Sequence, residues 1–337
     1  MGRLRKADLS NPRLLQHEID TLKVFLLLEH RRRVLAEELS SMEILDEWSK
    51  DFDFEKQQSV VQDSVQQQAL HLLRQLHECS ASPQASADDD DDDDDKSSPL
   101  TMPQAGGHEE EEELSPDSFP LLRPTQRDLV SQHFVRVRDM LQDRVGFVPV
   151  VERSNLPAAG NGVFLKGRAV AGTVVSFYPG MVYLREHVQS GIYDHCFDSN
   201  AYVFSRFDSA VLDGSKPVAK HNPFAVGHII NHPSALAPGK EKAEIMGDCN
   251  VIACPINFVS EIFDDEVLPH VPNAYDRPPT LMSSETARDS FALGTVLVAV
   301  RDIEDEELYL NYRYNPKIVA PPWYVEVSSE ESTRRWS

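Results

Sequence analysis

The sequence predicts an α+β protein: a helical N-terminal region joined to a strand-rich C-terminal one. Three observations carry this. Apolar residues recur at helical spacing over residues 12–78, with no glycine between Arg3 and Gly106. From Val145 the chain turns to short β-branched runs punctuated by turn residues. Between the two lies a stretch of Ser, Pro, Ala and acidic runs with little to bury.

Asn11-Pro12 reads as a helix start, with Asn as cap and Pro at the first helical position. Leu15, Ile19, Leu22 and Leu26 then mark one apolar stripe, and Val61, Val65, Leu72 and Leu76 a second. The expected arrangement is two or three helices packed on the main domain or on each other. Residues 1–79 form this helical region, and residues 80–120 an acidic disordered linker. A helix over 121–144 leads into the core, with Thr125 and Asp128 as a capping box and Leu129, Phe134, Val137 and Leu141 as its apolar face. Strands are expected at Val148–Val151, Gly162–Leu165, Thr173–Tyr178 and Thr295–Val300, within a domain spanning 145–318 that is followed by a tail over 319–337.

The chain has 337 residues, 41% hydrophobic, which supports a sizeable core. Of the net charge of -22, the runs Asp88–Asp95 and Glu109–Glu113 supply 13. An acidic balance argues against bulk nucleic acid as the partner, because phosphate contacts need Lys and Arg. Cys79, Cys196, Cys249 and Cys254 form no CxxC pair and read as reduced thiols. Cys249 and Cys254 can close half a zinc site, with no second pair in view, so no metal is expected. The N-terminus lacks the apolar stretch of a secretory signal, and runs such as Val24–Leu28 are far too short to span a bilayer. The expected location is intracellular, in nucleus or cytoplasm, with no membrane association.

Three segments carry chemistry. Gly160-Asn161-Gly162 lets the backbone approach a ligand closely. It lacks the third glycine and following helix of a dinucleotide fingerprint. Gly227-His228-Ile229-Ile230-Asn231-His232 places an amide able to donate and accept at the end of an apolar pair. Glu306-Glu307-Leu308-Tyr309-Leu310-Asn311-Tyr312 closes the series. Each has a bland reading: a hairpin, a turn, a buried aromatic anchor.

In this order and span, the three resemble the SET domain. The continuation of the first segment through Ser176-Phe177-Tyr178-Pro179-Gly180, an aromatic-x-Gly turn, strengthens the resemblance. It implies a mainly β fold of small sheets with knot-like threading near the C-terminus. It also implies S-adenosylmethionine as cofactor and methyl transfer to a lysine of a protein or peptide. Carried over position by position, it places Gly160, Asn161, Gly162, Asn231 and His232 against the cofactor, Tyr312 beside both cofactor and reacting centre, and Tyr178 as a second orienting tyrosine. The sequence departs from the family pattern in three places. About fourteen residues separate Pro233-Ser234 from Asp248-Cys249-Asn250, Asn311 stands where Asp is usual, and no cysteine triplet follows Tyr314. In family members without that triplet an aromatic segment closes the lysine channel, a role open to Pro321-Pro322-Trp323-Tyr324. A SET fold that binds without turnover, and a scaffold built on the helices and acidic linker, are the alternative readings.

Overall fold

The computed structural model describes residues 12–38, 52–81, 124–216, 218–219, 221–315 and 319–336, with the side chains of 124–131 excepted. The acidic linker lies outside the described residues, apart from Ser80 and Ala81. Helix α1 spans Pro12–Leu35, α2 Phe54–Ala81, α3 Pro124–Val145 and, near the C-terminus, α4 Ser329–Trp336. The expected cap Asn11 lies outside the described residues. So do the side chains of Thr125 and Asp128, whose backbone is already inside α3, so the helix begins before the predicted box.

Four small sheets make the rest. One runs β1 (Phe147–Arg153), β2 (Asn161–Ala169) and β12 (Ile303–Glu304). The central one is antiparallel, in the order β3 (Val174–Tyr178), β11 (Ser290–Ala299), β9 (Val251–Val259). A third has the order β10 (Asn273–Tyr275), β4 (Gly180–Tyr183), β6 (Val211–Asp213), β5 (Val203–Ser205), with β10 parallel to β4. A two-stranded ribbon pairs β7 (Ser234–Ala235) with β8 (Glu244–Ile245). The protein is thus α+β, with small sheets and an N-terminal helical region.

Helix α2 follows its sequence stripe: Val61, Val65, Leu72 and Leu76 are buried, with Ala69 and Leu73 beside them. Each large apolar side chain removed from water there is worth about 1.5–3 kcal/mol. The stripe lies on the central sheet, in one continuous core with Phe177, Phe258 and Leu297. Glutamines at its margin satisfy the outer backbone groups of that sheet. Gln62 Nε2 donates to Pro255 O (2.7 Å), Gln66 Nε2 to Asn257 O (2.8 Å), and Gln68 Oε1 accepts from Val174 N (3.0 Å). Those groups would otherwise be open ladder ends. Strand β9 escaped the sequence reading because Pro255 interrupts it, and the sheet order shows why proline is tolerated: β9 is an edge.

Helix α1 departs from expectation. Leu15, Ile19, Leu22 and Leu26 are half-buried, whereas Gln16, His17, Glu18 and Thr21 are buried along with Val24, Phe25 and Leu28. The helix sits between α2, α4 and β9, so its polar face is covered too and must be paired internally.

Candidate functional site

The three segments meet where the chain threads through itself. Residues 307–310 form isolated bridges with three separate places: Glu307 with Phe164, Tyr309 with Asn231, and Leu310 with Val251. Leu308 N donates to Val163 O (2.7 Å) and Leu310 N to Asn231 O (2.9 Å). Asn250, fully buried, locks the crossing: its Nδ2 donates to Glu307 O (2.8 Å) and its Oδ1 accepts from Tyr309 N (2.7 Å). The residues between Ser234 and Asn250 leave this crossing and return to it through the β7–β8 ribbon. The insertion therefore costs little more than loop entropy and leaves the threading intact.

The Gly160–Gly162 turn forms one lip of the site. Gly160 has φ +73°, a conformation costly for other residues, and a Cβ there would meet open space. A Cβ on Gly162 would overlap the Glu307 carboxylate and stand 3.2 Å from Asn231 Nδ2. Asn231 Nδ2 donates to Asn161 O (2.9 Å), tying the second segment to the first. Beneath them lies a group that sequence reasoning treated only as part of a motif. The Glu307 carboxylate, 3% exposed, accepts from Ser154 Oγ (2.6 Å), Asn155 N (2.8 Å) and the Tyr309 hydroxyl (2.8 Å). Its neighbour Glu306 points outward to Arg301. In a run of alternating direction one of two adjacent glutamates must face in, and that alternation is the signal that could have marked Glu307.

His232 is 2% exposed, and its ring faces the C-terminal segment rather than the glycine turn. Nε2 lies 2.8 Å from Val325 O, and Nδ1 is 3.3 Å from both Tyr312 N and Leu310 O. Burial pushes its pKa down, which favours the neutral ring. The shortest contact requires the proton on Nε2, which leaves Nδ1 to accept the Tyr312 amide. Ser234 Oγ donates to Trp323 O (2.9 Å) and accepts from Val325 N (3.0 Å). The segment around Pro321–Val325 is thereby held against the Asn231-His232 pair. Its rings complete an aromatic cluster: Trp323 lies edge-on to Tyr312 and Tyr314 (6.2 Å each), and Tyr324 packs on His232 (4.6 Å) and Tyr314 (4.9 Å).

Tyr312 is 36% exposed, yet its hydroxyl end is enclosed and donates to Ile230 O (2.8 Å). Tyr178 is 5% exposed and donates to Tyr202 O (2.7 Å). Burial raises both phenols well above their ordinary value, with Tyr312 adding to the effect on Tyr178. Tyr178 is presented by the turn at Gly180 (φ +126°), where any side chain would run into the Asp213 backbone. His228 stands edge-on to Tyr178 and Tyr202. Burial lowers its pKa to about 4, and its Nδ1 has no partner among the described residues.

Arg313, between Tyr312 and Tyr314, anchors the cluster to the helices. It donates to Asp20 of α1 through both terminal nitrogens (2.6 and 3.0 Å) and to Glu331 of α4 (3.2 Å). Trp336 Nε1 donates to Arg313 O (3.0 Å). Asn311 faces the same anchor, through Glu331 (3.3 Å).

Among the described residues no three His, Cys, Asp or Glu side chains gather as metal ligands, and no helix is long and apolar enough to cross a membrane. Burial raises the Cys249 and Cys254 thiols to about 11 and 12.

No protein-family profile matches the chain. It is similar to SET domain-containing protein 9 of Homo sapiens, 28% identical over 218 residues that cover 54% of this chain and 63% of that protein. The same holds for SET domain-containing protein 9 of Pongo abelii, at 28% over 218 residues, 54% of this chain and 69% of that protein. The chain thus spans less than two thirds of the human relative it matches. Among solved structures, it aligns with ctPRC2 in an autoinhibited conformation bound to S-adenosylmethionine, at 17% identity and TM-score 0.29, covering 51% of this chain and 16% of that one. A humanized mutant of the Chaetomium thermophilum Polycomb Repressive Complex 2 aligns at 16% identity and TM-score 0.29, with 51% and 16% covered. A superposition that loose carries no structural argument. The likeness carried by three short segments and the likeness over 218 residues name the same family: the chain resembles the SET-domain proteins, SET domain-containing protein 9 among them.

Proposed function

We propose that the chain is a SET-type methyltransferase that moves a methyl group from S-adenosylmethionine to a lysine amine of a protein or peptide. One observation carries this reading. The Tyr312 hydroxyl is bound to Ile230 O, and the next residue, Asn231, grips the glycine turn. A polar lip and an aromatic cluster are therefore separated by a single peptide unit, the arrangement a transfer between two ligands needs.

The lip fits the cofactor. Open space over Gly160, the Asn231 amide and the exposed edge of Asn161 offer polar groups to the methionine portion, and the buried Glu307 carboxylate beside them favours a positively charged ligand. When bound, S-adenosylmethionine supplies an electrophilic methyl group on a sulfonium. The chain's own residues do the rest. His232 holds the closing segment in place. Trp323, Tyr314 and Tyr324 exclude water from the channel. Tyr178 and Tyr312, kept protonated by burial, present dipoles that orient an amine without charging it. A free lysine has a pKa of about 10.4, and dry aromatic surroundings disfavour its ammonium form.

The test is transfer of a labelled methyl group from S-adenosylmethionine to lysine-containing proteins, by the wild type and by Tyr312→Phe. Expected are labelled lysine with the wild type, and turnover lost with cofactor affinity kept in Tyr312→Phe. A folded wild type that binds the cofactor and labels nothing favours a binding module and overturns the enzymatic reading.

A further inference from the structure

A second polar site lies away from the channel, where α1, the central sheet and α4 meet. A cavity of about 60 Å³ is lined there by His17, Asp20, Thr21, Arg206, Thr295 and Arg335, with Phe204, Phe207 and Cys254 as apolar walls. This is room for a few waters or one small ion, since a water occupies about 10–15 Å³ by this measure.

The polar atoms around it are unbalanced. Thr295 Oγ1 (1% exposed residue), His17 Nε2 (7%) and Arg335 Nε are buried without a hydrogen-bond partner among the described residues, and so is the nearby Arg13 Nε. Two are guanidinium N–H donors, and the hydroxyl and the imidazole can donate as well. The carboxylates nearby are already engaged, and the one buried acceptor left over beside them, Gln16 Oε1, is set against four unpartnered donors among the described residues. Both Asp20 oxygens bind Arg313, and one also accepts from Gln16. Asp208 is held by Arg206, and Glu331 by Arg313 and Lys23. Four arginines (Arg13, Arg206, Arg313, Arg335) face three carboxylates (Asp20, Asp208, Glu331). Arg206 and Arg313 have their pairs, while Arg335 has no ion pair among the described residues. The crowding is felt: burial, with Arg313 and Arg13 adding to it, lowers the Arg335 pKa to about 10. Unpaired buried donors beside a surplus cation are costly unless an acceptor fills the space.

We propose that this cavity is a small-oxyanion site, taking an ion of the phosphate or sulfate class on Arg335, Thr295 and His17. The ion joins α1 and α4 to the sheet beneath Arg313, and the site does not depend on the methyltransferase reading.

The experiment is calorimetric titration of inorganic phosphate, and separately sulfate, into the full chain, with thermal unfolding read alongside at constant ionic strength set by chloride. The wild type, Arg335→Gln and Thr295→Val are compared. Expected are saturable binding in the wild type, a rise in unfolding temperature beyond that in chloride, and at least tenfold weaker binding in both variants. Thr295→Val keeps the side-chain shape and all charges, so it decides the matter if Arg335→Gln folds poorly. Sulfate and phosphate also stabilise proteins without binding. A rise that never saturates, or is equal in wild type and Thr295→Val, shows a cavity filled by water alone and overturns the proposal.

Discussion

The two walls of the candidate site are built differently. The wall at Gly160–Gly162, Asn231 and Glu307 is polar and threaded, and its partners are backbone groups, hydroxyls and an amide drawn from stretches of chain far apart in sequence. The wall at Tyr178, Tyr312 and Trp323 is aromatic, and most of its contacts are ring faces and edges with a single hydroxyl bond per tyrosine. Hydrogen-bonded buried carboxylates and amides are costly to break, because each lost partner leaves others unpaired. Rings can be trimmed by one hydroxyl with little loss of packing. The polar wall is therefore bound up with folding, and the aromatic wall is free to serve chemistry.

The largest effect should come from Glu307→Ala. Ser154, the Asn155 amide and the Tyr309 hydroxyl all lose their acceptor. Urea unfolding should show a loss of about 3–5 kcal/mol; a loss below about 1 kcal/mol would mean that the threaded wall is not what holds the fold.

Next is Asp20→Asn on α1. Arg313 is 13% exposed at its side chain and loses its bidentate partner. About 2–4 kcal/mol should disappear, less than the cost of a fully buried pair because Glu331 remains. Tyrosine fluorescence or aromatic NMR shifts at Tyr312 and Tyr314 should move with it. Unchanged spectra would show that the helices do not brace the channel.

Tyr312→Phe sharpens the contrast from the other side. It should cost only about 1 kcal/mol in unfolding while methyl transfer falls about a hundredfold or more. Equal losses in the two assays would erase the division between walls.

A smaller effect concerns pH. Burial lowers His17 and His228 to about 4 and depresses His232. The unfolded chain takes up these protons near pH 6.5, and the folded chain resists, so acid favours unfolding. The stability that neutral His17 contributes is fully present above about pH 6.5 and is lost as pH falls towards 4. In His17→Gln, urea midpoints between pH 6.5 and 4 should fall less steeply than in the wild type; parallel slopes would contradict the burial assignment.

The smallest effect is at the lip. Gly160→Ala, at φ +73° with open space for its Cβ, should cost about 1 kcal/mol of backbone strain without a clash. A much larger loss would mean that the turn is packed more tightly than its surroundings show.

Much of this was legible in the sequence. The α2 stripe follows from periodicity because one face of that helix is buried, and β1, β2, β3 and β11 follow from β-branched runs, which in β3 and β11 are nearly continuous because both faces of those strands are buried. The segments at Gly160, Asn231 and Tyr312 were identifiable only together, by their order and the family resemblance it carries, and the chain folds them together. What remained hidden depends on partners distant in sequence. The polar residues Gln16, His17 and Thr21 are buried because parts of the chain distant in sequence cover α1: α2, α4 and β9 pack on it, and Phe207 stacks on His17. The role of Glu307 is set by Ser154, 153 residues away. His232 reads as a ligand group from its motif, but acts as a strut because Val325 arrives on its far side.

The most direct test of the whole account is calorimetric titration of S-adenosylmethionine into the wild type and into Asn231→Ala. Binding in the micromolar range, lost or weakened at least tenfold in a folded Asn231→Ala, is the result expected if the polar wall holds the cofactor. A folded wild type that takes up none, or an Asn231→Ala variant that binds as well as the wild type, would contradict it.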